Sequence, residues 1–165
     1  MNLSEIPRGS RVFVDGSIFL HHFAGASLQC RTLLERCERS EIRGATSALV
    51  VAEVTERLMC LEAVAKGLLS PGQVARKLRA RPELAQKLQI HEEVTAQIPL
   101  MGVEILPLDL RGLLAAAALR RHVGLPAGAS FVAASAREAG IDSVATSEAD
   151  LDRVDGLRLY KPADL

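Results

Sequence analysis

Four carboxylates stand where they could do chemistry together: Asp15, Glu53, Glu148 and Asp150. Asp15 ends the β-branched and aromatic run RVFVD and is followed by Gly16 and Ser17, the way a buried strand passes into a turn. Glu148, Asp150 and Asp152 follow a second short run, DSVAT. Glu53 lies inside a helical stretch among Leu49, Val50, Val51, Ala52 and Val54, where a charge must turn to solvent or face a cation. In an open α/β sheet, ligands bind beyond the carboxyl ends of the strands, because loops there aim side chains into one crevice. Carboxylates gathered from separate elements repel one another, so a divalent cation is their natural companion. Mg2+ or Mn2+ takes oxygen ligands, keeps several waters, and can orient and deprotonate one of them for attack on a phosphodiester. The chemistry implied is metal-assisted hydrolysis.

Each of these residues also has a plainer explanation. Asp before Gly-Ser is ordinary turn chemistry, so Asp15 could simply cap the turn after the strand. Glu53 could be an exposed residue paired with Arg57 at i+4. Ser147 to Asp150, SEAD, is close to a capping box and could open a helical turn. The coincidence of three places at one sheet edge is the argument for a shared cation. His21 and His22, adjacent and beside Phe23, point in different directions on a helix and are expected to be packing or surface residues. Arg76, Lys77, Arg79 and Arg81 form a basic run expected to be a solvated face, with phosphate contact as the lesser alternative.

The elements that must position these groups alternate between strand and helix. Strands are expected at 11–15, 43–47, 103–109, 142–146 and 157–160. The run IFLHHF after the first strand suggests a β-to-α step, and 28–39 is amphipathic, with Leu33, Leu34 and Cys37 on one side. Ser47 is placed to cap a long helix closed near Gly67. Helices are expected next at 71–80 and 82–97, each with Pro near its start, then at 109–122 and 127–139, ending near Gly124 and Gly140. Short strands separated by helices imply a mostly parallel sheet with helices on both faces. No repeat, low-complexity tract or linker interrupts residues 1–165, so a single domain is expected.

Composition narrows the class. A chain of 165 residues with 48% apolar content can bury a core without metal or disulfide staples. Cys30, Cys37 and Cys60 are odd in number and lack zinc-site spacing, and they are expected to be reduced and structural. Twenty basic and twenty acidic residues cancel, so nucleic acid would have to be gripped locally. No apolar run is long enough to cross a bilayer and no signal peptide opens the chain, so a cytoplasmic protein is expected.

From Arg11 to Pro162 the sequence resembles the PIN domains, specifically the VapC-type toxins of toxin-antitoxin pairs. VFVDGSIFL resembles that family's opening strand and its Asp-Thr-Asn or Asp-Ser-Ser turn, and TSALVVAEVTERLM resembles its second block. GIDSVATSEADLDRVDGLRLYKP resembles the closing Ala-Thr-Asn-Asp-x-Asp-Phe block and the Gly-Leu-x-hydrophobic-Tyr-x-Pro beyond it. The resemblance implies a three-layer α/β/α fold with a mostly parallel central sheet of four to five short strands. It implies an Mg2+- or Mn2+-dependent endoribonuclease in which Asp15, Glu53 and Asp150 are catalytic and Asp15, Glu53, Glu148 and Asp150 hold the ion. Ser17 and Ser147 fall in the places that position water or phosphate. RNA as substrate, an antitoxin as possible partner and a homodimer are implied by the same likeness.

Four departures stand out. The family's Leu-x-Pro-x-Asp-Ala carries a metal-ligating Asp, whereas this chain has GLPAGAS with Gly128 in that place. Ser130 cannot substitute, since two residues along a helix turn it by about 200°. Gly16-Ser17 stands for Thr-Asn and Ser147-Glu148 for Asn-Asp, and Leu151 replaces the usual Phe. Losing one of about four carboxylates weakens binding of a hard cation. The competing expectation is therefore a catalytically silent PIN-like module that binds RNA or a protein. A haloacid-dehalogenase or response-regulator reading also starts from a strand-ending Asp, but it lacks a second Asp at position 17 and a Lys after a later strand.

Overall fold

The computed structural model describes all residues, 1–165. Five strands form one sheet: β1 (Arg11–Val14), β2 (Arg43–Ser47), β3 (Val103–Leu106), β4 (Ser143–Ala145) and β5 (Arg158–Tyr160). Their order is β3-β2-β1-β4-β5, and every pairing is parallel. Parallel neighbours need crossovers, and the chain supplies helices for them. These are α1 (Gly16–Phe23), α2 (Leu28–Glu38), α3 (Ala48–Ala65), α4 (Val74–Arg79), α5 (Pro82–Ala85), α6 (Ile90–Leu100), α7 (Leu110–Val123) and α8 (Ala127–Glu138). Val12, Phe13 and Val14 alternate between the two faces of the sheet, yet all are fully buried, so both faces of the central strand are covered.

The order places β1 at the centre, with the direction of travel reversing on either side of it. β2 and β3 are laid down on one side, and β4 and β5 on the other. Asp15 leaves β1 at that reversal and Ser147 leaves β4 directly beside it, which brings these two loops into contact. Close approach of α2 to the sheet depends on Gly44. A Cβ there would lie 2.9 Å from the Cys37 sulfur and 3.2 Å from Val103. Burial of Cys37 pushes its thiol up to about 11, so it behaves as an apolar packing group. None of the three cysteines is in a disulfide.

The helix expected at 82–97 is two helices. α5 stops at Ala85, and α6 begins at Ile90 and runs through Pro99 to Leu100. The break is made by Glu62, buried on α3, whose carboxylate accepts the backbone N–H groups of Gln89 (3.0 and 3.1 Å) and Ile90 (3.0 Å) and pairs with Lys66 (2.6 Å). A carboxylate from another element thus does the work of an N-cap, which local sequence cannot reveal. Leu88, just before the restart, is buried with Ala63, Leu69 and Leu78 in a small cluster apart from the main core. The first of the two expected helices is also shorter than 71–80, because Gln73 adopts a left-handed conformation ahead of α4. Ser47 caps α3 as expected, accepting from Val50 (3.3 Å). Asp109, read as the end of a strand at 103–109, instead caps α7 by accepting from Gly112 (3.0 Å), and β3 stops at Leu106. No helix is long and apolar enough to cross a membrane.

Burial alone would raise the Glu62 proton affinity, but the hydrogen bonds from Lys66, Gln89 and Ile90 outweigh it and hold the carboxyl below the usual glutamate range. A depressed value stabilises the fold above that range, and this contribution is lost as pH falls through the depressed value. Glu62→Ala should cost about 2–3 kcal/mol by stranding buried N–H groups, read in urea unfolding near neutral pH, and the difference from wild type should shrink in acid.

Candidate functional site

An open pocket of about 750 Å3 lies beyond the carboxyl ends of β1 and β4. All four carboxylates singled out by type and spacing line it: Asp15, Glu53, Glu148 and Asp150. Asp15 is buried at the head of α1 but does not cap it, since its side chain accepts no backbone N–H of that helix. Instead Oδ2 accepts the hydroxyls of Ser17 (2.6 Å) and Thr146 (2.8 Å), which leaves Oδ1 without a protein donor. The turn explanation of Asp15 is therefore replaced by one in which two loops hold a single carboxylate.

Those hydroxyls also fix the loop after β4. Ser17 Oγ accepts the Ser147 N–H (3.0 Å), and Thr146 Oγ1 accepts the Glu148 N–H (2.9 Å). Ser147 makes no capping box, because the short turn at Asp150–Arg153 has no side-chain cap. Its hydroxyl meets His21 Nε2 at 3.2 Å. Asp150 pairs with Arg153 at 3.2 Å, whereas Asp152 is turned away onto Lys161 (2.7 Å). Leu151, in the place where the resemblance implies Phe, is buried beneath the turn.

Helix α3 forms one wall. Val50, Val54 and Leu58 are buried, and Val50 and Val54 lie where Gly16 lets the head of α1 approach. The adjoining stripe, Glu53, Arg57, Cys60 and Leu61, faces the pocket. The pairing of Glu53 with Arg57 exists but is loose, at 3.9 Å. Burial is the first cause that pushes Glu53 above the usual glutamate range. The charges of Asp15, Glu148 and Glu56 add to it, with Arg57 acting the other way. Gly128 heads α8 directly across from Glu53, and a Cβ there would lie 3.5 Å from Glu53 Oε2, an ordinary contact. Ser130 turns away as helical spacing requires. It is fully buried, donates to the Ala127 carbonyl (2.7 Å) and accepts from Arg120 (2.9 Å).

Two lining or supporting residues carry no role legible from sequence. His21, expected to be a packing or surface residue, lines the pocket and touches Ser147. Thr146 reads only as the end of a strand, although a hydroxyl two residues before the first acid of the loop is a usable signal. Arg57 is the one cationic side chain on the pocket lining. The donors fit a hard divalent cation in kind, being all carboxylate oxygen. They do not close around one: no three of the His, Cys, Asp and Glu side chains stand close enough together to hold an ion as arranged.

A parallel α/β sheet with an acidic pocket at its carboxyl edge defines the class. A family model for the PIN domain matches residues 12–157, and the chain belongs to that family. No curated protein is similar enough in sequence to match. Among solved structures, the chain is similar to one in VapBC2 from Rickettsia felis, bound to a DNA fragment from their promoter, at 14% identity and TM-score 0.61, covering 92% of this chain and 98% of that one. It is similar to a chain of FitAcB from Neisseria gonorrhoeae at 19% identity and TM-score 0.56, covering 93% and 99%. It is also similar to one in a toxin-antitoxin complex from Klebsiella pneumoniae at 16% identity and TM-score 0.53, covering 89% and 95%. At such identities the likeness is one of fold.

Glu53 should titrate above the ordinary glutamate range by carboxyl NMR and move back toward it in Asp15→Asn, in Glu148→Gln and, more strongly, on adding Mg2+.

Proposed function

We propose that this PIN domain is a nuclease that hydrolyses RNA phosphodiesters with Mg2+ or Mn2+, as the toxin of a toxin-antitoxin pair or a relative of one. The observation that carries this reading is the meeting of Asp15, Glu53, Glu148 and Asp150 in one pocket, with Glu53 pushed up by burial and by its acidic neighbours. Asp15 and Glu53 are the principal ligands, and Asp150 and Glu148 complete the set. A bound ion supplies charge neutralisation and an activated water. The chain's own residues do the positioning. Ser17 and Thr146 fix the Asp15 carboxylate with Oδ1 unbonded. Ser17 and Ser147 set the loop against which water or phosphate is placed. The chain works as one domain over 1–165, in the cytoplasm and as a homodimer. The naming of one solved neighbour as a toxin-antitoxin complex supports an antitoxin as its partner.

Gly128 favours a second reading, a catalytically silent module that binds RNA or a protein, because glycine supplies no ligand and no three of the acidic groups in the pocket stand close enough to hold an ion.

Single-stranded RNA should be cleaved in Mg2+ or Mn2+, and cleavage should fall to background in chelator and in Asp15→Asn, whose amide oxygen can still accept from Ser17 and Thr146. Cleavage that persists in either case would overturn the mechanism. Under the second reading, wild type is inert, and Gly128→Asp should raise Mn2+ affinity about tenfold by calorimetry, as an added charged ligand would.

A further inference from the structure

An acidic pocket repels the polyanion it is meant to receive. At ordinary salt a phosphate feels fixed charges within a Debye length of about 8–10 Å, so approach of RNA requires cations at the rim. The chain has zero formal net charge and supplies no general attraction. Arg153 stands beside the pocket on the loop after β4 but is paired with Asp150 at 3.2 Å, and a series of exposed arginines stands on the other side, where α3 meets α4.

Arg57 begins the series, lining the pocket with a largely exposed side chain and only the loose contact to Glu53. Arg79 is next. It is 76% exposed and reaches across from α4 to Glu56, the residue before Arg57, at 3.0 Å. Arg76, one turn earlier on α4, is exposed and has no ion-pair partner, and Arg81, just before α5, shares both properties. Leu78 is buried beside Ala63, Leu69 and Leu88, which pins α4 so that its arginines stay outward. Lys77 is turned back onto the Ser70 hydroxyl and carbonyl, both at 3.0 Å, and is not part of the series.

We propose that Arg57, Arg79 and Arg76 form a rail for the phosphate backbone of single-stranded RNA, delivering it to the acidic pocket. Arginine suits the task because its planar fork matches phosphate oxygens. The Arg79–Glu56 pair is exposed and worth little, so exchanging Glu56 for a phosphate is inexpensive. No aromatic side chain lines the pocket apart from the His21 imidazole, so affinity rests on phosphates rather than base stacking. The proposal rests on the reading of the pocket as an RNA site, and it names the direction from which the strand enters.

The test is fluorescence anisotropy of a labelled short oligouridylate in chelator, titrated with salt. Arg76→Gln with Arg79→Gln should weaken binding about tenfold and flatten the slope of log affinity against log salt by about 1.4, or about 0.7 for each phosphate no longer held. Lysine at both positions should restore most of the slope. Arg8→Gln with Arg39→Gln removes two arginines beside Glu41 at the opposite end of the sheet and should change neither quantity. Unchanged binding in the first pair, or equal loss in the second, overturns the rail, as does wild type that fails to bind. Cleavage assayed in parallel separates the two readings. Binding through these arginines without cleavage removes the nuclease and keeps the rail, and cleavage with unaltered binding does the reverse.

Discussion

Asp15 is a buried charge at the end of a buried strand, and the hydroxyls of Ser17 and Thr146 are what make that placement tolerable. Each hydroxyl has a second duty, accepting a backbone N–H from the loop after β4. Two of these four hydrogen bonds solvate the carboxylate, and together they tie the two strand ends to one another. Both bonds to Asp15 fall on one oxygen, which leaves the other available to the pocket. The parallel sheet makes this possible by setting the ends of β1 and β4 side by side at the point where strand order reverses.

Around that anchor the electrostatics are unbalanced. Glu53 is raised by burial and by its acidic neighbours, and Arg57 offsets this only from a distance. Gly128 faces Glu53, and a Cβ there would make only an ordinary contact, so glycine leaves the pocket without a side chain where the resemblance implies a carboxylate. A glycine there lowers the repulsion among the remaining acids at the cost of a ligand. That trade makes the fold and the chemistry separable: the α/β scaffold is intact, and the capacity to hold a cation depends on how the surviving side chains close.

Much of the scaffold could be read from sequence because it is governed by local rules. The strand at 43–47, the Ser47 cap and the helix-stopping Gly124 all reflect residue type and period. The break between α5 and α6 was not legible, because it depends on a carboxylate 27 residues earlier in the chain. In the site, the acidic residues announced themselves as charges at sheet ends or in an apolar window. His21 and Thr146 did not, since a histidine on a helix and a threonine ending a strand look the same whether or not a partner loop meets them.

The most direct measurement is anomalous diffraction from a crystal soaked in Mn2+. A single strong peak between Asp15, Glu53 and the loop carrying Glu148 and Asp150, with Asp15 Oδ1 among its ligands, is the expected result. Full Mn2+ occupancy elsewhere with none in this pocket would contradict the claim that these carboxylates share a cation.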